Sequence, residues 1–86
     1  MNLKDAMNEL KNENIRFKRL IEICRSFFVG PRINGSNHIF KVPWSGNPRI
    51  NLQKDGQDAK KYQIKQVREA LKKLSEIEML EEEKKE

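Results

Sequence analysis

His38 is the only histidine among the 86 residues, and its place beside a predicted turn makes it the first candidate for chemistry. Imidazole gains and loses a proton near neutral pH, as general acid–base catalysis requires. The segment from Gly35 to Phe40 (GSNHIF) predicts a tight turn that leads into a strand. A histidine in this setting is commonly a structural hydrogen-bonding residue, so both interpretations remain open. Ser36 and Asn37 likewise either bond their own turn or bind a phosphate.

Other kinds of catalytic site lack partners in this sequence. A nucleophile triad needs a second base beside Ser36 or Cys24, and none is available. One histidine, one cysteine and scattered aspartates do not have metal-ligand spacing, and there is no glycine-rich phosphate loop. We therefore expect no metal and no other cofactor. Cys24 lies on an apolar helical stripe, which predicts a buried thiol rather than a reactive one.

Charge is unevenly distributed along the chain. The net charge is +5, but residues 76–86 hold six acids and two lysines (−4), while residues 1–75 hold sixteen bases and seven acids (+9). A basic body suits a polyanion such as RNA, although high charge also keeps a small protein in solution. No apolar run reaches the roughly 18 residues of a membrane span, and the first residues are too charged for a secretory signal. The sequence predicts a cytoplasmic protein without membrane contact.

The apolar pattern divides the chain into one central domain and two ends. Residues 15–75 form the predicted domain, preceded by an arm over 1–14 and followed by an acidic helical extension or tail over 76–86. The arm is a weak helix with Leu3, Met7 and Leu10 on one face, which either frays or docks on the body or a partner.

Within the domain, two helices flank three strands. Apolar spacings of three and four predict a first helix over 15–27, with Asn14 as its N-cap and Gly30-Pro31 as its stop signal. A second helix starts at Tyr62, which is interpreted as a packing residue. The strands between them are predicted over Pro31 to Asn34, His38 to Val42 and Arg49 to Lys54.

This element order predicts an α+β fold, α-β-β-β-α, in which one antiparallel sheet has both helices on the same face. His38 shares a strand face with Phe40 and Val42, so it lies at the rim of the buried face. Trp44, in the following loop, either caps the core edge or stacks on an unpaired base. Gln63 and Gln66 are candidates to reach RNA or a partner.

Six basic residues are expected to converge on one face near His38. Three belong to neighbouring strands and three to the next loop and helix start, and together with Ser36 and Asn37 they are the predicted RNA-binding set: Lys41, Arg49, Lys54, Lys60, Lys61 and Lys65.

The GSNHIF segment and the later KKYQIKQV at the start of the second helix resemble the HicA toxins of bacterial type II toxin–antitoxin systems. The resemblance runs from about Asn14 to Leu74 and is supported by Pro43-Trp44 and by the RINLQ strand that starts at Arg49. It implies a fold like that of a double-stranded-RNA-binding domain, a ribonuclease that cleaves mRNA, and neutralisation by a HicB antitoxin. The catalytic histidine of that family falls on His38. Many members have a second histidine immediately before it, where this chain has Asn37.

RNA cleavage without a metal is compatible with a single histidine. The 2′-hydroxyl attacks the adjacent phosphorus, and His38 serves either as the base that removes its proton or as the acid that protonates the leaving oxygen. The other proton then moves through water, Tyr62 or a lysine, and basic residues or turn amides stabilise the phosphorane. Two alternatives stay open: a non-catalytic RNA-binding module of the same fold, and an interaction protein whose basic face meets an acidic antitoxin.

Overall fold

The chain is a small α+β protein, α-α-β-β-β-α, in a computed structural model that describes residues 1–46 and 49–84. The three strands form one open antiparallel sheet in the order β1-β2-β3. The elements are α1 (Leu3–Glu9), α2 (Phe17–Phe27), β1 (Val29–Asn34), β2 (Asn37–Lys41), β3 (Arg49–Gln53) and α3 (Lys61–Lys84).

One face of the sheet is buried under the helices. Phe40, Ile50 and Leu52 project from β2 and β3 and are almost fully buried. They belong to a single core cluster with apolar residues of all three helices, including Ala6 and Leu10 beside α1, Leu20, Ile23 and Cys24 of α2, and Ile64, Val67 and Leu71 of α3. Burying this set supplies the main favourable term for folding, since each large side chain contributes about 1.5–3 kcal/mol.

The first main helix begins later than its apolar pattern predicts. α2 starts at Phe17, with Arg16 at the N-cap position, so Asn14 is not the cap. Residues before the helix are instead held by the chain after β3: Ala59 N donates to Ile15 O and Phe17 N donates to Gln57 O, both at 2.8 Å. A free amide of the helix start is therefore satisfied by a distant backbone carbonyl. The predicted end at residue 27 is confirmed.

The N-terminal segment is an integral helix and not a loose arm. Asn2 caps it by accepting from Asp5 N at 2.8 Å, and Leu10 is fully buried against the core. Arg19 of α2 donates from Nε and Nη2 to the two oxygens of Glu9 at 2.7 and 2.8 Å. Arg68 of α3 donates to Leu10 O at 3.2 Å. Within the described residues, the weak N-terminal helix that the sequence predicts is thus docked on the body beside the two main helices.

The β1–β2 hairpin needs glycine at two positions. Gly35 has a φ of 61° in the two-residue loop between Asn34 and Asn37, where a left-handed backbone matches the strand twist. Gly30 lies at the irregularity between Val29 and Arg32 with a φ of 140°. A Cβ there would lie 2.8 Å from the Ile39 carbonyl oxygen, so only glycine allows this close pairing.

A buried glutamine side chain caps the start of α3. The Gln63 side chain accepts from Lys60 N at 3.0 Å and donates to Gln53 O at 2.8 Å, which caps the helix and ties it to β3. Gln63 is therefore a structural residue and not an exposed contact for RNA. Tyr62 is 65% exposed, so its interpretation as a packing residue is wrong. None of the helices in the described ranges is long and apolar enough to cross a bilayer.

Candidate active site

The turn after β1 fixes the orientation of the His38 ring. His38 Nδ1 lies 3.2 Å from the carbonyl oxygen of Ser36, which also accepts from Lys54 N at 2.9 Å. A carbonyl oxygen only accepts, so Nδ1 carries a proton in this contact. Nε2 is then the nitrogen left to accept or donate a proton. The Phe17 ring meets the imidazole edge to face at a centroid distance of 5.2 Å.

His38 lines a groove of about 450 Å³ between the sheet rim and the start of α2. This placement at the edge of the buried face agrees with the strand pattern, since the ring is half-buried. The groove combines an apolar wall, an amide and three bases around the imidazole, and we call it the His38 groove: Arg16, Phe17, Lys18, Ile21, His38, Lys54 and Gln57.

Backbone contacts between two distant segments assemble one wall of the His38 groove. Arg16 forms an isolated antiparallel bridge with Asp58, and its side chain donates to Gln57 Oε1. The Arg16 guanidinium also lies 3.8 Å from the Asp58 carboxylate. The loop after β3 is thereby fastened to the start of α2 beside His38.

Electrostatically, the His38 groove is a site for an anion. Lys18 and Lys54 are exposed, and within the described part of the chain neither has a carboxylate within ion-pair distance. Arg16 adds a third positive charge that Asp58 partly neutralises. Cationic donors around an imidazole are what a phosphodiester needs, because charge accumulates on its oxygens in the transition state.

The predicted RNA-binding residues do not all reach the groove. Lys54 lines it, and Ser36 anchors the imidazole through its backbone while its hydroxyl accepts from Gln53 Nε2 at 3.3 Å. Asn37 and Lys41 alternate with His38 along β2, so they lie on the opposite face of the sheet. Arg49 pairs directly with Lys41 and shares that face.

The three remaining predicted bases lie around the start of α3. Lys60 pairs with Asp55 at 3.2 Å and Lys61 with Glu13 at 3.7 Å, so each has a local acidic partner. Lys65 is exposed one turn further along the helix. The expected convergence of six bases on one face is therefore wrong: the set is divided between two faces of the sheet and the helix start.

Five members of the His38 groove were not predicted from the sequence as site residues: Arg16, Phe17, Lys18, Ile21 and Gln57. Phe17 and Ile21 belong to the apolar spacings that predict the first helix, and Arg16 and Lys18 flank Phe17 on both sides in the sequence. Two bases that flank an aromatic residue at the start of a helix could have indicated a binding site there. No local pattern points to Gln57, because its place depends on pairing with residues about forty positions earlier.

Trp44 and Cys24 both belong to the core or its edge, as one of the two interpretations of Trp44 and the interpretation of Cys24 predict. Trp44 is half-buried and meets Phe28 edge to face, and Lys73 Nζ lies 4.9 Å from its ring centroid, which makes it a cap on the core. Burial raises the pKa of the Cys24 thiol to about 12, so the sulfur is an unreactive core atom. Among the described residues, no three His, Cys, Asp or Glu side chains come together as a metal-binding group.

Comparison of the chain with protein-family models, with curated proteins and with solved structures gives no match.

Proposed function

We propose that the protein is a metal-independent endoribonuclease that cleaves mRNA in the His38 groove, in the manner of a HicA toxin. The observation that carries the proposal is the single imidazole held by the Ser36 carbonyl inside a groove with three bases. An oriented proton-transfer group next to cationic donors is the minimum that RNA transesterification requires.

In this proposal His38 Nε2 exchanges the proton while Nδ1 holds the ring in place. Nε2 either takes the proton of the 2′-hydroxyl as that oxygen attacks phosphorus, or gives a proton to the departing 5′-oxygen. Lys18 and Lys54 stabilise the charge on the phosphorane oxygens, and Arg16 supports them. One histidine performs one of the two transfers, so water or a lysine performs the other and the enzyme is slow.

The arrangement of helices and strands and the net charge of the chain also support the proposal. In this proposal, the three antiparallel strands with α2 and α3 on one face correspond to the elements of a double-stranded-RNA-binding domain, and α1 is an addition. A polyanionic substrate agrees with the basic body, and mRNA as substrate places the activity in the cytoplasm. A HicB-like antitoxin would neutralise such a toxin most simply by covering the His38 groove with acidic residues.

The test compares wild-type protein with His38→Gln on a labelled mRNA fragment in the presence of EDTA. Glutamine keeps a polar side chain of similar size but cannot transfer protons, and we expect cleavage to fall by 10² to 10⁴-fold, as is typical for loss of a general acid or base. Asn51→Ala is the matched control, because Asn51 is exposed on the neighbouring strand and its side chain lies on the other face. Circular dichroism verifies that all three proteins are folded.

The alternative of a non-catalytic RNA-binding module gives a different result in the same experiment. Such a module binds the fragment in a salt-sensitive way and leaves it intact. The fragment then stays uncleaved with both the wild-type protein and His38→Gln. Undiminished cleavage by folded His38→Gln would remove His38 from the mechanism.

A further inference from the structure

The sheet face opposite His38 forms a positively charged groove with an apolar floor. The sequence has no acidic residue between Glu22 and Asp55, so no carboxylate from the sheet itself neutralises this face. The groove measures about 330 Å³ and we call it the outer groove; Arg32, Lys41 and Arg49 contribute one base from each strand, and Val29, Gly30, Pro31 and Ile39 complete it.

Two properties of the outer groove indicate that it binds a partner. Lys41 and Arg49 stand directly opposite each other on neighbouring strands, and like charges in that position destabilise a sheet. No ion pair in the described part of the chain involves either of them. Val29 is 74% exposed beside them, so apolar surface and uncompensated charge occur together.

The end of α3 has the complementary combination. Leu74 is the last buried residue of this helix up to residue 80, where the description of side chains ends, and the helix itself continues to Lys84. Glu76, Met79 and Leu80 follow the spacing i, i+3, i+4, so these positions share one face. Met79 and Leu80 are 60% and 57% exposed. This terminal face therefore combines an acidic position with an exposed apolar pair one turn further along the helix.

The two surfaces are complementary in charge and in polarity. In the outer groove, the exposed Val29 lies opposite Lys41, and Lys41 lies opposite Arg49. On the terminal face, Glu76 lies one turn before the exposed Met79 and Leu80. An acidic position beside an apolar pair thus matches bases beside an exposed apolar side chain, as in helix-in-groove recognition.

We propose that a second copy of this chain occupies the outer groove with its terminal face. The same copy cannot do so, because α3 is one continuous helix packed against the other face of the sheet. RNA would neutralise the bases but would leave Val29, Ile39, Met79 and Leu80 without apolar contacts. Reciprocal docking pairs both surfaces in a two-fold dimer and leaves the His38 groove open, so this inference does not depend on the proposed enzymatic activity.

The experiment measures the mass of the full, nucleic-acid-free chain by sedimentation equilibrium. Over protein concentrations from roughly 10 µM to roughly 1 mM and at low salt, we expect the mass to rise from 10.2 kDa towards twice that value, and to fall back when salt screens the charges. Arg49→Glu and Glu76→Arg should each leave a monomer. An equal mixture of the two variants should dimerise again, because one docking site keeps its native pair and the other receives the swapped pair.

Two control variants make the same charge changes elsewhere. Glu78→Arg alters the same helix two residues away, on a different side from Glu76, and Arg25→Glu alters an exposed base of α2; both should dimerise like the wild type. A monomer throughout the concentration range would overturn the proposal. A dimer unaffected by Arg49→Glu and Glu76→Arg would do so as well. Loss of RNA binding by Arg49→Glu, without any change in mass, would make the outer groove an RNA surface instead.

Discussion

Replacing Lys54 by alanine tests which of the two basic faces of the sheet binds RNA. Lys54 lines the His38 groove, whereas Lys41 projects from the opposite face, so the same loss of charge should have different effects on RNA binding. If Lys18 and Lys54 each contact one phosphate, each contributes about 0.7 to the slope of log K against log salt for a single strand. RNA affinity falls as salt rises from about 50 to about 400 mM, and this fall should be about fourfold smaller for Lys54→Ala than for the parent protein.

The measurement is fluorescence anisotropy with a labelled single-stranded RNA, in a His38→Gln background that prevents cleavage. Protein concentrations are kept far below those at which copies associate. Lys41→Ala should retain the slope of the parent protein. Equal slope changes for Lys54→Ala and Lys41→Ala would refute the placement of RNA on the His38 side, and an unchanged slope for Lys54→Ala would exclude that lysine from phosphate contact.

Three further predictions concern stability and reactivity. Leu10→Ala should lower the free energy of unfolding by about 2–5 kcal/mol, because Leu10 is fully buried and truncation leaves a cavity; a change below about 0.5 kcal/mol in urea titration, the level of an ordinary surface substitution, would show that α1 is not docked. The hydrogen bonds and charge of Arg19 lower the pKa of Glu9, so this pair stabilises the fold above the ordinary glutamate value of 4.5 and loses that effect as pH falls through the lowered value. Glu9→Gln should accordingly be less stable than wild type at neutral pH by under about 1 kcal/mol, since the pair is partly exposed, and the two stability curves should converge in acid; a constant difference would contradict the assignment. Cys24 should react with iodoacetamide only on unfolding, and rapid labelling of the native protein would show that the core around it is open.

The patterns that depend on local periodicity predicted most of the secondary structure. The predicted strand from Arg49 is present as β3, and the alternation of its sequence matches the structure, in which Ile50 and Leu52 are buried and Asn51 and Gln53 are exposed. The glycine and proline after α2 correctly marked its end at Phe27. In both cases the deciding interaction lies within a few residues of the pattern.

Features that depend on distant partners were missed or left open. The docking of α1 requires Arg19 and Arg68, and the apolar stripe of α1 alone does not indicate what it packs against. Gln63 is buried because the carbonyl of Gln53 and the amide of Lys60 are both within reach, which no helical pattern reveals. The start of α2 at Phe17 depends likewise on the loop carbonyl of Gln57.

The candidate site was predicted in part. The rim position of His38 follows from strand alternation, which places it on the same face as Phe40. The same alternation places Lys41 on the other face, so the sequence already contradicted a single basic face. Arg16, Lys18 and Gln57 were missed because they join the site only when the loop after β3 pairs with the start of α2.

The most direct test of the central claim is the chemistry of the RNA ends. Mass spectrometry of an oligonucleotide cleaved in EDTA should find 2′,3′-cyclic phosphate or the 3′-phosphate derived from it, and a single 2′-deoxy substitution at the cleaved nucleotide should stop the reaction. Both products should be absent with folded His38→Gln. Products with 3′-hydroxyl and 5′-phosphate ends, or cleavage that requires a divalent metal, would contradict a mechanism in which His38 transfers the proton of an attacking 2′-hydroxyl or of the leaving oxygen.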